Sequence, residues 1–263
     1  MKNLFAYILL ALFATGLNSC AKSTPSTTEE ALSQEVINQI TALGFSADDA
    51  YAADGGYIVE GDIFLTDADL HSQEHGLVHN LAAGNAEQYR TTNMVTGLPR
   101  TITISASGSV STNVSNAINA AIGRYNAEGL QITLSRVTSG GTINIKVVNG
   151  GNYIASAGFP SGGNPFPEVK FNKTYQNWQL NTLASVFAHE IGHCVGMRHT
   201  DYMDRSFSCG GGYANEGDGG VGAIFIPNTS VPAENGSWML ACIGNGDNRN
   251  FTNNDKTALN FLF

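Results

Sequence analysis

Three histidines and a glutamate occur together in the segment HEIGHCVGMRH, residues 189–199. Residues four apart in a helix project from one face about 6 Å apart, so His189 and His193 could ligate one zinc ion. Gly196 could adopt the left-handed conformation that ends a helix, and the turn would let His199 supply a third nitrogen. This spacing predicts a zinc site with a fourth position open to water, which is typical of catalytic sites.

Glu190 follows the first of these histidines and would lie beside the metal. A carboxylate there could take a proton from the attacking water and return it to the leaving group. Because a structural metal site does not need such a carboxylate, Glu190 favours an enzyme. The alternative is a surface binding lipoprotein with a vestigial or structural zinc site. A zinc-dependent amidase or glycan hydrolase is a third interpretation, which fits the Gly196 and His199 pattern less well.

The pattern over residues 189–199 is similar to the zinc signature of the metzincin metallopeptidases. With His199-Thr200-Asp201 behind it, HEIGHC resembles the bacterial dual-action HEIGH metallopeptidases within that clan. The resemblance is strong over residues 95–263 and moderate over 34–69. It implies an α+β fold with a twisted mixed sheet, an active-site helix and a C-terminal helix, one catalytic zinc ion, and hydrolysis of peptide bonds in proteins. It also implies a methionine turn beneath the zinc, for which Met239 is the candidate.

The chain departs from the astacin-like metzincins at one position. Astacin-like metzincins carry a tyrosine two residues after the turn methionine, where this chain has Ala241. Arg198 and Tyr202 are weak candidates for stabilising the tetrahedral oxygen in its place.

Metzincin substrates add a strand to an edge of the sheet, and the edge expected here lies within residues 155–171. Because that mode reads the backbone, it favours cleavage of interior bonds.

A motif in the front part of the chain suggests a latch. Glu60-Gly61-Asp62-Ile63 resembles the F-x-G-D motif of astacin prosegments, in which the aspartate occupies the open zinc position. The resemblance implies that Asp62 is such a latch in a zymogen. The alternative is an ordinary Gly-Asp turn in a small strand pair.

The surrounding elements follow from hydrophobic periodicity and capping residues. We expect strands near residues 101–104, 131–134, 142–147 and 168–171, a helix from 112, a site helix capped by Asn181 or Thr182, and a final helix capped by Thr252. The expected units are a lipoprotein signal peptide (1–20), a flexible tether (21–33), a prosegment of helix and strand with a polar connector (34–94), and the catalytic domain (95–263).

The first twenty residues predict export. A lysine near the start precedes an apolar run over residues 4–17, which is shorter than the roughly 20 residues that span a bilayer. The ending Leu-Asn-Ser-Cys resembles a bacterial lipobox, which implies cleavage before Cys20 and lipid attachment to its thiol. The alternative is an ordinary signal peptide. We expect a protein anchored to the bacterial envelope, at the outer membrane or cell surface, or otherwise secreted, and touching membrane only through that anchor.

The net charge of the chain indicates which classes of binding partner are suitable. The chain has 263 residues and a net charge of −9, and no basic cluster offsets that charge, so nucleic acid is an unsuitable partner. We expect a monomer that binds protein or peptide substrates.

Other cysteines, histidines and acids leave alternatives open. Besides Cys20, the cysteines are Cys194, Cys209 and Cys242, and a Cys209–Cys242 disulfide is slightly favoured because Cys194 would be a small apolar helix residue. Spacing alone does not decide this pairing. Two weaker metal sites are a histidine set at His71, His75 and His79, and an acidic calcium loop at 215–220 without regular oxygen spacing.

Overall fold

The computed structural model describes residues 31–53, 55–71, 88–216, 223–229 and 233–263. Within these ranges no helix is long and apolar enough to cross a membrane. The signal peptide with Cys20, as well as His75 and His79, lies outside the described residues.

The described residues form six helices and ten strands. The helices are α1 (Gln34–Ala42), α2 (Asp67–Leu70), α3 (Thr112–Asn126), α4 (Leu180–Val195), α5 (Ser206–Cys209) and α6 (Asn253–Leu262), with a 3-10 turn at Lys173–Tyr175. The strands are β1 (Tyr51–Ala53), β2 (Gly56–Val59), β3 (Ile63–Thr66), β4 (Tyr89–Arg90), β5 (Arg100–Gly108), β6 (Ile132–Arg136), β7 (Ile143–Val148), β8 (Ala155–Ala157), β9 (Glu168–Asn172) and β10 (Ile224–Phe225).

Eight of these strands form one mixed sheet in the order β1-β2-β3-β8-β9-β7-β5-β6. Strands β6, β5, β7 and β9 run parallel, and β8 is antiparallel to β9. Strands β4 and β10 form a separate antiparallel pair. The mixed sheet, the helix that carries the histidines and the C-terminal helix confirm the expected α+β fold.

The main core lies between the sheet and two helices. Alternation in β5 buries Ile102 and Ile104, and α3 presents Ile118 to the same core. Helix α4 contributes Phe187, whose ring meets that of Phe171 on β9 at a centroid distance of 5.1 Å. This packing fixes α4 against the sheet, and α4 carries the first two histidines.

The first turn of α4 differs from the expectation. Neither Asn181 nor Thr182 caps the helix, which begins at Leu180 behind Gln179 and has no side-chain cap bond. The Thr182 hydroxyl instead donates to the Asp247 carbonyl (2.8 Å) and accepts from the Gly246 amide (3.0 Å). The Thr182 side chain, which the local sequence predicts as a helix cap, is therefore used in a tertiary contact instead. The expected Thr252 cap is present and forms a capping box with Asp255.

The front segment, residues 31–71, joins the main sheet instead of standing apart. It has a small core that includes Ile40, Phe45 and Ile63. Its strand β3 pairs in parallel with β8, and the Ala157 amide donates to the Asp62 carbonyl at 3.1 Å. Within residues 155–171, β8 is the strand that would be exposed at an edge without the front segment, because β3 pairs with it on the side away from β9.

A boundary at residue 95 would divide a packed unit. The Thr91 amide donates to the Gly196 carbonyl (2.8 Å), and the Arg198 amide donates to the Tyr89 carbonyl (2.9 Å). The buried Gln88 side chain donates to Asp255 at 2.6 Å. Residues from Gln88 onward therefore pack with the catalytic part.

Candidate metal centre

The three histidines converge on one point. Helix α4 ends at Gly196, whose φ of 113° lies in the left-handed region and turns the chain back toward the helix. The Nε2 atom of His193 lies 3.0 Å from that of His189 and 3.2 Å from that of His199. Tetrahedral ligands about 2.0–2.1 Å from zinc are roughly 3.3 Å apart, so the observed spacing fits a shared ion.

The other ring nitrogens support this interpretation. His189 Nδ1 lies 2.9 Å from the Trp238 carbonyl, and His193 Nδ1 lies 2.9 Å from the Met197 carbonyl. His199 Nδ1 lies 2.7 Å from a carboxylate oxygen of Glu216. Because these partners only accept, each Nδ1 is the nitrogen that carries a proton, and each Nε2 is the nitrogen available to a metal. Three Nε2 atoms directed at one point form a donor set that fits zinc.

Asp62 of the front segment completes the cluster. Its carboxylate oxygens lie 3.3 Å from His189 Nε2 and 3.2 Å from His199 Nε2. The four side chains form a group able to hold a metal ion. Burial alone would raise the pKa of Asp62, but His199 and His189 lower it well below its usual value. The carboxylate is therefore charged where the fourth ligand of a zinc ion would lie.

Glu190 lies buried beside this group. Its Oε2 atom has no hydrogen-bond partner among the described residues. Burial and the nearby charge of Asp62 raise the pKa of Glu190 well above its usual value. Burial, together with His189 and His199, lowers the pKa of His193, which keeps that imidazole neutral and able to ligate. The site thus places at least one neutral imidazole beside a carboxyl group suited to receive a proton.

A cavity of about 250 Å³ opens beside these residues. His189 and Glu190 border it, and so do apolar side chains that include Val186, Leu240 and Ile243. Residues 60–62 form part of its wall. The front segment and the residues of the metal site therefore line one shared cavity.

A buried charge network lies behind His199. Arg198 Nη2 is 2.9 Å from Glu60 and 3.7 Å from Glu216, and all three side chains are fully buried. Arg205 Nη2 lies 2.7 Å from Asp49, and its Nε lies 3.5 Å from Glu216. Both arginines thus contact one acid of the front segment and one acid of the catalytic part. Burial alone would raise the pKa of Glu216, but His199 and the arginines lower it.

Neither weak candidate for stabilising the tetrahedral oxygen borders the cavity. Arg198 is held in the buried charge network, and Tyr202 packs edge-on against Tyr89 at a centroid distance of 4.4 Å. In the acidic segment 215–220, the weak calcium candidate, Glu216 faces His199 and the arginines. Residues 217–220 lie outside the described part of the chain.

Met239 is fully buried in a turn below α4. Its carbonyl accepts from the Thr200 amide at 2.8 Å, and the neighbouring Trp238 amide donates to Asp255 at 3.2 Å. The turn lies directly against the helix, since a Cβ at Gly192 would be 2.5 Å from Met239 Sδ. The methionine expected below the histidines is thus in contact with the helix between them.

Gly192→Ala is expected to lower the free energy of unfolding by about 1–3 kcal/mol, because the added methyl group overpacks this contact. The matched control is Gly123→Ala in α3, where a Cβ meets nothing within 4 Å. Removing a helical glycine there should raise stability by about 0.4–1 kcal/mol. Urea unfolding followed by circular dichroism measures both changes. The described packing would be contradicted if Gly192→Ala did not lower the free energy of unfolding relative to Gly123→Ala.

The cysteines and the remaining histidine are also placed. Cys209 and Cys242 form a disulfide, and Cys194 is a buried free thiol on α4. The disulfide joins α5 to the segment after Met239. His71 Nδ1 lies 2.7 Å from the Asp67 carbonyl.

Sequence reasoning missed the charge network. Glu60 lies far from Arg198 and Glu216 in sequence, and the packing of the front segment, which includes the pairing of β3 with β8, brings it to them. Glu60 has a φ of 55°, unusual for a residue other than glycine, in the turn before Gly61. No periodicity or spacing indicates such a contact.

The comparison with protein families agrees with the histidine motif of this site. The family model of the dual-action HEIGH metallopeptidases matches residues 57–263. No curated protein sequence matches the chain. A structure of myroilysin matches with 19% identity and a TM-score of 0.34, covering 42% of this chain and 54% of that one. A crystal structure of myroilysin matches with 16% identity and a TM-score of 0.40, covering 63% and 83%.

The matched region of this chain thus spans about half of the first myroilysin chain. The family match includes β2, β3, all three histidines and the C-terminal helix, and extends over most of the sequence. The chain therefore belongs to the dual-action HEIGH metallopeptidase family.

Proposed function

We propose that the chain is an exported, lipid-anchored zinc endopeptidase whose front segment blocks its own active site. The observation that carries the proposal is the convergence of three imidazole Nε2 atoms beside the buried carboxyl group of Glu190. Export and anchoring rest on the sequence of residues 1–20 and on Cys20. The Cys209–Cys242 disulfide supports export, because such bonds persist in oxidising compartments.

In the proposed reaction His189, His193 and His199 hold the ion, and backbone carbonyls and Glu216 orient their rings. Zinc, when bound, supplies the Lewis acid that polarises the scissile carbonyl and activates water. Glu190 takes the proton from the attacking water and then gives it to the leaving amine. Burial raises the pKa of Glu190, which makes its carboxylate a stronger base.

Strand β8 would bind the substrate backbone. Its single parallel pair with β3 shows that this edge accepts another strand. A substrate held by main-chain hydrogen bonds extends on both sides of the reacting bond, so interior bonds are cleaved in preference to terminal ones. The apolar wall of the cavity would take a neighbouring side chain of the substrate.

Asp62 would act as the latch. Its position 3.3 Å from His189 Nε2 and 3.2 Å from His199 Nε2 supports this role, because a carboxylate oxygen is a good zinc ligand at about 2.0–2.2 Å. Glu60 and Asp49 fasten the same segment through Arg198 and Arg205. The front segment therefore covers both the metal position and the substrate edge.

The experiment that tests this proposal is casein hydrolysis with and without a chelator, by the purified protein before and after removal of its front segment. Metal content is measured by atomic absorption, and mass spectrometry identifies the mature N-terminus. We expect one zinc ion per chain, hydrolysis that the chelator abolishes and added zinc restores, and a lipidated residue 20. A zinc-loaded, processed protein that hydrolyses neither casein nor peptides would favour the surface binding alternative.

A further inference from the structure

His199 differs from the other two histidines in what holds its ring. His189 and His193 belong to helix α4, and their Nδ1 atoms face backbone carbonyls. His199 lies beyond the end of the helix, and its Nδ1 atom faces a Glu216 oxygen at 2.7 Å. Both side chains of this pair are fully buried. The histidine outside the helix thus has a charged hydrogen-bond partner, whereas the two histidines in the helix have neutral ones.

Glu216 is itself held in place. Its backbone amide donates to the Tyr202 carbonyl at 2.8 Å. Arg205 Nε lies 3.5 Å from one of its carboxylate oxygens, and Arg198 Nη2 lies 3.7 Å from the other. The two guanidinium groups compensate the buried negative charge, which would otherwise be costly. The carboxylate therefore has a fixed position from which to orient the ring of His199.

A carboxylate that accepts the Nδ1 proton does two things to a ligating histidine. It fixes the tautomer and the ring plane, and it makes the Nε2 atom more basic. Partners of this kind typically account for about 10- to 100-fold in metal affinity. The contact is charge-assisted, and a short N–H···O⁻ bond is stronger than one to a neutral carbonyl. His199 would otherwise depend on a loop for its orientation.

We propose that Glu216 is a positioning residue of the metal centre, which fixes His199 for zinc through the Nδ1 hydrogen bond. This inference rests on the proposed role of His199 as a zinc ligand. Glu216 acts through His199 and does not itself touch the substrate.

The test compares the full chain with its Glu216→Gln and Asp201→Asn variants. Glutamine keeps the shape of Glu216 and loses the charge. Asp201 is the matched control, because it is also buried in this part of the chain but accepts from the Ser208 hydroxyl and the Ala241 amide. The zinc dissociation constant is measured by competition with a chromogenic chelator. The visible absorption spectrum of the cobalt(II)-substituted protein reports the geometry of the ligands.

We expect Glu216→Gln to weaken zinc binding by about 10- to 100-fold and to change the cobalt spectrum. Asp201→Asn should bind zinc within about threefold of the unaltered chain, even where its melting temperature falls. The inference is overturned by equal zinc affinity in Glu216→Gln and the unaltered chain, or by an equal loss in both variants. Absence of zinc binding by the unaltered chain would overturn the proposed function as well.

A measurement on the unaltered chain decides the question if Glu216→Gln does not fold. Nitrogen-15 NMR of the zinc-loaded protein identifies which nitrogen of each histidine carries a proton. A proton on Nδ1 of His199, with Nε2 bound to the metal, supports the inference. Metal bound through Nδ1 of His199 overturns it.

Discussion

Glu190→Gln is expected to retain its zinc ion and to lower kcat by about 10²- to 10⁴-fold, the usual contribution of a general base. Glutamine has the size of glutamate but cannot accept the proton. The three histidines are unchanged, and Glu190 is not among the four residues that surround the metal position. The variant should therefore bind zinc as the unaltered chain does.

The measurement pairs zinc content with the rate of hydrolysis of a short fluorogenic peptide, after removal of the front segment from both proteins. Glu168→Gln is the control, because Glu168 lies on β9 and pairs with the exposed Lys146. This control should keep its full rate. Hydrolysis by zinc-loaded Glu190→Gln at the rate of the unaltered chain would refute the assigned role.

A chain that begins at Gln88 is expected to have at least about tenfold higher specific activity than one that begins at Ala21. Removal of the front segment would remove the Asp62 carboxylate from the metal position, the β3–β8 pair, and the ion pairs of Arg198 with Glu60 and of Arg205 with Asp49. Each 1.4 kcal/mol of blocked-state stabilisation corresponds to a factor of ten. Gln88 is the chosen start because a later one would remove its bond to Asp255.

Variants of the long chain separate these contributions. Asp62→Ala should raise hydrolysis of a short peptide only part of the way, since β3 still covers β8. Asp67→Ala is the control, because this exposed residue of α2 is not part of the metal cluster. Specific activities are compared per zinc-loaded chain. Equal activity of the long and short chains would rule out the latch.

Local sequence patterns predicted the site more completely than they predicted its surroundings. Residues 189–199 form a contiguous motif, so helical spacing and one left-handed glycine suffice to bring His189, His193 and His199 together. Alternating isoleucines in β5 likewise predict a strand with one buried face. Both signals depend on neighbours within a few residues.

Contacts between distant segments were not predicted, because these sequence patterns report only on residues close together in the chain. Thr182 is a good capping residue by local rules, but its hydroxyl bonds to the segment around Asp247. Glu216 looked like part of an acidic turn, and only the folded chain places it beside His199. Gln88 lies in a polar connector by composition and yet is buried against Asp255. The hydrogen-bond partners of such side chains lie far away in the sequence, so patterns among neighbouring residues do not predict them.

The Cys209–Cys242 disulfide also has a consequence for the cell that makes this protein. It links α5 to the strip of chain just after Met239, and α5 directly follows Arg205. The thiol-reducing cytoplasm would keep these two sulfurs apart. A newly synthesised chain would then lack this covalent link beside the cavity, and under the proposed export the link would form only outside the cytoplasm.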